Sequence, residues 1–185
     1  MYRRLFLYFI GLVFILTPLH AVFARDWKPK PHVAAREYAI LKHERTPTDQ
    51  IIIYWFPAEA IPDTPGSAEA KKLLSDNLLI GTVRIKVDAQ ARVSVAEETA
   101  PILRTLGGET IRYIETHAVS PTVSGIVTVV EQMVSQAMGV VGKGIKWHVF
   151  DGSSVKSCKI GGFIVNFAGE DYDYKTPIPG CGDQV

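Results

Sequence analysis

The residues best suited to catalysis in this sequence are His148, Asp151 and Ser153, which follow one another closely. In serine hydrolases a histidine takes the proton of the nucleophilic serine, and a carboxylate orients the histidine. The spacing disfavours this arrangement, because residues three apart on a continuous strand point to opposite faces. The sequence also contains no G-x-S-x-G motif. We interpret the segment as a solvated strand residue, His148, followed by a hairpin turn. The alternative is a hydrolase in which His148 works with a serine or carboxylate from elsewhere in the fold.

The chain has two cysteines, Cys158 and Cys181. An even number of cysteines in an exported protein indicates a disulfide. The bond would close a loop of 24 residues, and the chain entropy removed would be worth about 3 kcal/mol of stability. The alternative is a reactive or metal-binding thiol, with Lys159 stabilising the Cys158 thiolate. The sequence lacks a C-x-x-C motif, so the disulfide is the preferred interpretation.

No metal or cofactor is predicted. The histidines after residue 24 are scattered, and none form a pair two or four residues apart: His32, His43, His117 and His148. The zinc-protease motif H-E-x-x-H does not occur. The glycine-rich spots at residues 107–108 and 142–144 match neither a P-loop nor a dinucleotide fingerprint, so nucleotide binding is not expected.

The acidic residues form two small clusters, Glu97 with Glu98, and Glu170 with Asp171 and Asp173. Paired carboxylates can perform acid–base chemistry on glycosidic bonds. The first pair lies at a predicted strand-to-helix junction, and the second group lies in a predicted irregular tail. Solvated turn charges are therefore the simpler interpretation of both.

Tyr172 and Tyr174 lie in the same tail, close to Pro177 and Pro179. Exposed tyrosines among prolines can form a recognition surface for a protein partner. Packing of the tail near the disulfide is the alternative interpretation.

The N-terminus has the pattern of a secretory signal peptide. Arg3 and Arg4 precede an apolar run over residues 5–19, and small residues then mark a cleavage site between Ala24 and Arg25. We therefore expect the first 24 residues to be removed. The rest of the chain is expected to work in the periplasm or outside the cell.

Two alternatives for the N-terminus stay open. Residues 5–24 are long enough to span a bilayer as an uncleaved anchor. Arg3 and Arg4 also begin an R-R-x-F-L sequence, which is typical of the twin-arginine export route.

The charge balance excludes one class of partner. The chain has 20 Lys and Arg residues against 19 Asp and Glu. Without Arg3 and Arg4 the balance is 18 against 19, a net charge of −1. Binding of nucleic acid or an anionic membrane surface needs a clustered basic excess, so neither is expected. We expect the chain to contact the membrane only through its signal peptide, before that peptide is cleaved.

The composition favours a β-sheet core. After residue 24 the chain has 17 Val and 15 Ile but 7 Leu, and β-branched side chains suit strands. A flexible linker is expected over residues 25–35 and a single domain over residues 36–185. The apolar run at residues 51–56 is typical of a strand covered on both faces. Residues 78–88 and 92–96 alternate apolar and polar side chains on either side of a polar turn, which predicts a β-hairpin.

A long helix is predicted to begin at Ser120 and Pro121, the N-cap and first helical residue. Its apolar residues recur every three or four positions: Val123, Val127, Val130, Val134, Ala137 and Val141. The β-branched start of this segment leaves a strand open as an alternative. Shorter helices are predicted over residues 67–77, 99–106 and 109–117, strands over residues 145–149 and 155–168, and an irregular tail over residues 169–185.

Together these patterns predict an α+β fold, in which a mainly antiparallel sheet packs against one long apolar helix and one or two short helices. The functional hypothesis is a non-enzymatic exported envelope protein that binds a protein partner or assists assembly of an envelope complex. The alternative is the small exported hydrolase using His148.

Overall fold

The computed structural model describes residues 39–43, 48–61, 63–155 and 161–176, the first of these ranges by its backbone. The elements in chain order are β1 (Ala39–His43), β2 (Asp49–Phe56), α1 (Ser67–Asp76), β3 (Asn77–Val87), β4 (Val93–Val95), β5 (Ile102–Thr105), β6 (Thr110–Ile111), β7 (Tyr113–Ile114), α2 (Pro121–Met138), α3 (Val140–Gly144), β8 (Lys146–Asp151), β9 (Phe163–Phe167) and β10 (Glu170–Tyr174).

Some of the predictions concern residues outside these ranges. They are the signal peptide at residues 1–24, its cleavage site at Ala24 and Arg25, the linker that follows, and the disulfide between Cys158 and Cys181. These stay predictions.

The described strands form two antiparallel sheets. Sheet A has six strands in the order β1–β2–β3–β8–β7, and β4 pairs with the far end of β3. Sheet B has four strands in the order β10–β9–β5–β6. In sheet A, β3 pairs with β2 from Phe56↔Leu79 to Asp49↔Lys86. On its other side β3 pairs with β8 from Asn77↔Asp151 to Thr82↔Lys146. The α+β class with mainly antiparallel pairing is confirmed.

Sheet A is the middle of three layers, because its two faces belong to different hydrophobic clusters. Ile51, Ile53 and Trp55 of β2 pack in one cluster with the inward side chains of sheet B. Ile52 and Tyr54, which point to the other face, pack in a cluster with residues of the helical layer. The predicted strand at residues 51–56 is therefore confirmed, and its continuous apolar run reflects cover on both faces.

Gly81, in the middle of β3, allows an aromatic side chain to lie directly on the sheet. A Cβ atom at Gly81 would lie 2.7 Å from Cγ2 of Ile145 and 2.9 Å from Cζ3 of Trp147. These distances are shorter than real Cβ contacts, so the Trp147 ring occupies the space that any larger residue would need.

The predicted long apolar helix is present only in part. Helix α2 begins at Pro121 as predicted, but it ends at Met138, before the stripe residue Val141, which belongs to α3. The hydroxyl of Ser120 accepts a hydrogen bond from the Val123 N–H at 3.3 Å, as its N-cap role predicts. Only Val123 and Val130 of α2 are fully buried. The helix contacts the sheet along a narrow strip, and much of its apolar surface lies outside that strip. It is therefore less deeply embedded than the predicted apolar core helix.

Two predicted short helices are wrong. Residues 99–106 contain strand β5 instead, in which Leu103 is fully buried and the neighbouring Ile102 is 55% exposed. Residues 109–117 contain β6 and β7 and a single 3-10 turn. Strand β5 pairs with β9 and β7 pairs with β8, and such non-local pairing overrides local helical preference, while β6 pairs with the adjacent strand β5.

The prediction of an irregular tail is wrong for Glu170–Tyr174, which form edge strand β10. A two-residue turn, Ala168 and Gly169, joins β9 to β10, and both residues have positive φ, 52° and 85°. This is the conformation that tight hairpins require. The predicted hairpin of β3 and β4 is confirmed.

Candidate functional site

His148 is buried between the two sheets. It lies opposite Ile80 in the β3–β8 pairing and is 9% exposed. Its Nε2 atom is 3.3 Å from the hydroxyl of Thr82, which is 3% exposed, and its ring lies 6.2 Å from that of Tyr113. Among the described residues Thr82 is its hydrogen-bond partner. The expectation of a solvated His148 is wrong, because its neighbours Ile80 and Phe150 on the same face of sheet A pack against sheet B.

The burial of His148 keeps its imidazole neutral. Desolvation, with a smaller contribution from the charge of Lys146, lowers the pKa of His148 from 6.5 to about 4. A neutral imidazole next to a hydroxyl resembles the first two members of a catalytic set. The Thr82 hydroxyl, however, is enclosed, and a nucleophile must be reachable by its substrate.

Asp151 and Ser153 interact with each other but not with His148 in the described part of the chain. Asp151 Oδ1 accepts from the Ser153 N–H at 3.0 Å, and Asp151 Oδ2 accepts from Arg112 Nη2 at 3.1 Å. These hydrogen bonds, led by those from Ser153, hold the pKa of Asp151 below its usual value. Asp151 therefore closes a turn after β8, as predicted. The turn is not a hairpin turn, because β8 pairs with β3 and β7 in sheet A whereas β9 lies in sheet B.

Arg84 forms an ion-pair network two residues along β3 from Thr82. Its Nε and Nη2 donate to the two carboxylate oxygens of Asp49 at 2.9 and 2.7 Å, and its Nη1 donates to Glu98 at 3.0 Å. The three side chains are 23 or 24% exposed. The hydrogen bonds from Arg84 lower the pKa of Asp49 more than burial raises it. Glu98 lies in the segment that connects sheet A to sheet B, so the ion-pair network fixes this connection to β3. The expectation that Glu98 is a solvated turn charge is therefore wrong.

The acidic cluster of the tail is also engaged. Asp171 accepts from Asn166 Nδ2 at 2.7 Å and from Arg104 Nη2 at 2.6 Å, on the outer face of sheet B. These hydrogen bonds lower the pKa of Asp171, and the bond from Asn166 makes the largest contribution. Asp171 therefore joins β10 to the neighbouring strands of sheet B.

Tyr172 and Tyr174 are core residues, which corrects the hypothesis that they form an exposed partner-binding surface. They are 2% and 4% exposed. The Tyr174 hydroxyl donates to the carbonyl oxygen of Ile53 at 2.9 Å, and its ring stacks on Phe163 with centroids 4.9 Å apart. The alternation of β10 points both tyrosines inward, so they join sheet B to sheet A.

The exposed apolar side chains of the helical layer are concentrated on α2. Val129 and Met133, one helical turn apart, are 54% and 44% exposed. Gly125 and Ala137, one turn before and one turn after, are exposed as well. We call Gly125, Val129, Met133 and Ala137 the α2 row. Val140, the first residue of α3, adds a further apolar side chain that is 65% exposed.

An open surface pocket of about 410 Å³ lies beside the row, between α2 and α3. The residues that line it all have polar side chains: Thr128, Glu131, Gln132, Ser135, Gln136 and Lys143. The two helices meet closely, because a Cβ atom at Gly142 would lie 2.3 Å from the carbonyl oxygen of Val134. Gln132 and Gln136 follow Val129 and Met133 by three positions, so pocket and row share helical turns. We call the row, Val140 and the pocket together the α2–α3 face.

The sequence patterns did not point to this face. They assigned one apolar stripe of α2 to the core. Val129 and Met133 fall beside that stripe, and Ala137, which was assigned to it, is exposed. A sequence signal for the face was present, because α2 contains more apolar residues than a single stripe can bury.

No group of three His, Cys, Asp or Glu side chains in the described ranges could hold a metal ion. No helix in this part of the chain is long and apolar enough to cross a membrane. Comparisons of the chain with protein-family models, with curated proteins and with solved structures find no match.

Proposed function

We propose that this protein is a non-catalytic protein of the cell envelope that binds a protein partner through the α2–α3 face. The observation that carries the proposal is the exposure of Val129 and Met133, one helical turn apart on α2, together with that of Val140 at the start of α3. Large apolar side chains that are grouped on a surface, rather than scattered singly, are typical of interaction sites.

The chemistry of the face supports a protein partner. Its centre is apolar and includes a methionine, a residue enriched in interfaces because its flexible side chain adapts to a partner. Its border is polar, with the amides of Gln132 and Gln136 placed to hydrogen-bond a partner's backbone or side chains. An apolar centre with a polar rim is the common anatomy of protein interfaces.

The alternative hydrolase has less support. His148 and Thr82 are enclosed, and Asp151 is engaged by Arg112 and Ser153. A hydrolase needs an accessible nucleophile with a base beside it. Location in the envelope rests on the signal-peptide pattern of residues 1–24.

Site-specific photo-crosslinking in the host cell tests the proposal. A photoreactive amino acid is placed at Met133 and, as a matched control, at Ile102, an exposed apolar residue of sheet B. We expect a discrete protein adduct from position 133 and none from position 102. The substitution Val129→Asp should abolish the adduct, whereas Ser124→Asp, on the same helix outside the row, should not. Absence of an adduct at position 133, or an equal adduct at 102, would contradict the proposal.

A further inference from the structure

We propose that residues 110–114, which we call the strap, are an acid-sensitive device: protonation of His148 releases strand β7 from β8 while both sheets stay folded. This local opening concerns another part of the molecule than the α2–α3 face and does not depend on the proposed function.

The strap crosses from one sheet to the other. Its first two residues form β6, the last strand in the order of sheet B, and its last two form β7, the last strand in that order of sheet A. Arg112 alone separates the two strands. Residues 110–114 therefore close one side of the space between the sheets.

His148 lies beside the β7 end of the strap. Tyr113 pairs with Phe150, so its side chain lies on the same face of sheet A as those of Phe150 and His148. The Tyr113 ring lies 6.2 Å from the imidazole and 5.3 Å from the Phe150 ring, measured between centroids. Tyr113 is half-buried, whereas His148 is 9% exposed. At this side of the molecule the ring of an edge strand thus covers the imidazole.

The enclosed site does not accommodate a charged imidazole. The hydrogen-bond partner of His148 in the described ranges is the neutral hydroxyl of Thr82, at 3.3 Å. On β8 the nearest charged residue of the same face is Lys146, a cation. On β3 the next charged residue of this face is Arg84, which is engaged by two carboxylates.

The other elements around His148 supply no bound counter-ion either. The titratable side chains that sheet B contributes to the cluster between the sheets are those of Tyr172 and Tyr174. Glu115 directly follows β7, but it is exposed and forms no ion pair with His148 among the described residues. A protonated His148 therefore needs water, because an unpaired buried charge is costly.

Detaching β7 is the least costly way to bring water to the imidazole. It exposes two side chains that are already half-buried, Tyr113 and Ile114. Separating the sheets would instead expose the whole cluster between them. Short edge strands with few pairs are typical sites of local opening.

The other end of the strap stays anchored in acid. Arg112 donates to Asp151 at 3.1 Å, and its carbonyl oxygen accepts from the Asp151 N–H at 2.9 Å. Hydrogen bonds, led by those from Ser153, lower the pKa of Asp151, so this carboxylate stays charged while His148 takes up its proton. Ile111 is 5% exposed within the cluster between the sheets. The strap therefore opens at β7 and holds at Arg112 and Ile111.

Backbone hydrogen exchange of the exported protein tests the strap, at several pH values between about 7 and 4.5 and with correction for intrinsic exchange rates. In the open state His148 titrates at its ordinary pKa of 6.5, so the opening constant should rise by about tenfold for each pH unit lost. We expect the protected amides of β7 to exchange faster than those of residues 51–55, which report unfolding of the whole domain, at every pH.

Two histidine variants assign the effect. In His148→Gln the protection of the β7 amides should not change with pH. In His117→Gln, the matched change at an exposed histidine, it should change as in the wild type. Equal protection of β7 and of residues 51–55 at every pH would overturn the proposal, and so would a pH dependence that His148→Gln leaves in place.

A second pair of variants tests the cover itself. Tyr113→Ala lets water reach the imidazole, so the pKa of His148, measured by NMR titration of its ring protons, should rise from about 4 toward 6.5. Tyr113→Phe keeps the ring and should leave this pKa unchanged. The same pKa in both variants would show that Tyr113 does not cover His148, and the strap would then have no role in acid.

Discussion

The enclosed His148 should make the protein sensitive to mild acid. The unfolded chain takes up a proton at the ordinary histidine pKa of 6.5, whereas the folded protein takes it up only near pH 4. Between these values the unfolded state binds one proton more than the folded state, so stability falls as the pH falls. A difference of about 2.5 pKa units corresponds to a loss of about 3 kcal/mol, at a slope of about 1.4 kcal/mol per pH unit.

The substitution His148→Gln removes this pH-dependent contribution to the free energy of unfolding. Glutamine does not titrate, and its amide can keep a hydrogen bond to Thr82. Between pH 6.5 and pH 4, the unfolding free energy of the variant should fall by about 3 kcal/mol less than that of the wild type. Asp49 and Asp151 do not confuse the measurement. Their pKa values lie below 3.8, so the stability that they contribute is present above that pH and is lost only below it.

Urea unfolding at several pH values between about 7.5 and 4.5 measures the effect, since each midpoint and slope gives an unfolding free energy. His117→Gln, a change at an exposed histidine, is the matched control. If the wild type and His148→Gln lose stability in parallel over this range, His148 is not enclosed as described, and the reasoning fails.

Two further substitutions test packing contacts, and a third tests the backbone conformation of an exposed turn. Gly81→Ala should lower the unfolding free energy by about 1–3 kcal/mol, because the added Cβ overlaps Trp147; an unchanged urea midpoint would argue against that contact. Tyr174→Phe should cost about 1 kcal/mol in the same assay, since it removes one buried hydrogen bond and keeps the ring, and a neutral result would mean that the hydroxyl is solvated. Ala91→Asn should raise the melting temperature, because Ala91 has a φ of 59° and asparagine tolerates this conformation better. Ala89→Asn, in the same exposed turn, should have no such effect, and equal gains from both would refute the backbone explanation.

Local patterns identified the elements whose signal lies in a single segment. The hairpin of β3 and β4 follows from period-two alternation on both sides of a polar turn. The first residues of α2 follow from the N-cap role of Ser120. Strand β10 also carried such a signal, because Tyr172 and Tyr174 alternate with aspartates, but the prolines and glycines nearby favoured an irregular tail.

The errors arose where a distant segment decides the structure. Strand β5 has four residues, too few to show alternation, and its pairing with β9 involves residues some sixty positions later. His148 lies on the same face of β8 as Lys146, which suggested solvent, but a second sheet covers its part of that face. The α2 row was missed for a different reason. The side of α2 that packs on the sheet was predicted at Val123 and Val130, but the apolar residues beside it were given no role.

The order of the strands has a consequence for how the chain acquires its structure. On one side β3 pairs with β8, for example through Asn77↔Asp151. Strand β5 pairs with β9, for example through Ile102↔Asn166. Neither sheet can therefore be completed before the last third of the chain is available. A chain that emerges N-terminus first would present the unpaired edges of β3 and β5 until then, and closing such long loops is slow. During this interval the strand edges are exposed to aggregation, so a holding chaperone would have most effect on this protein before β8 and β9 emerge.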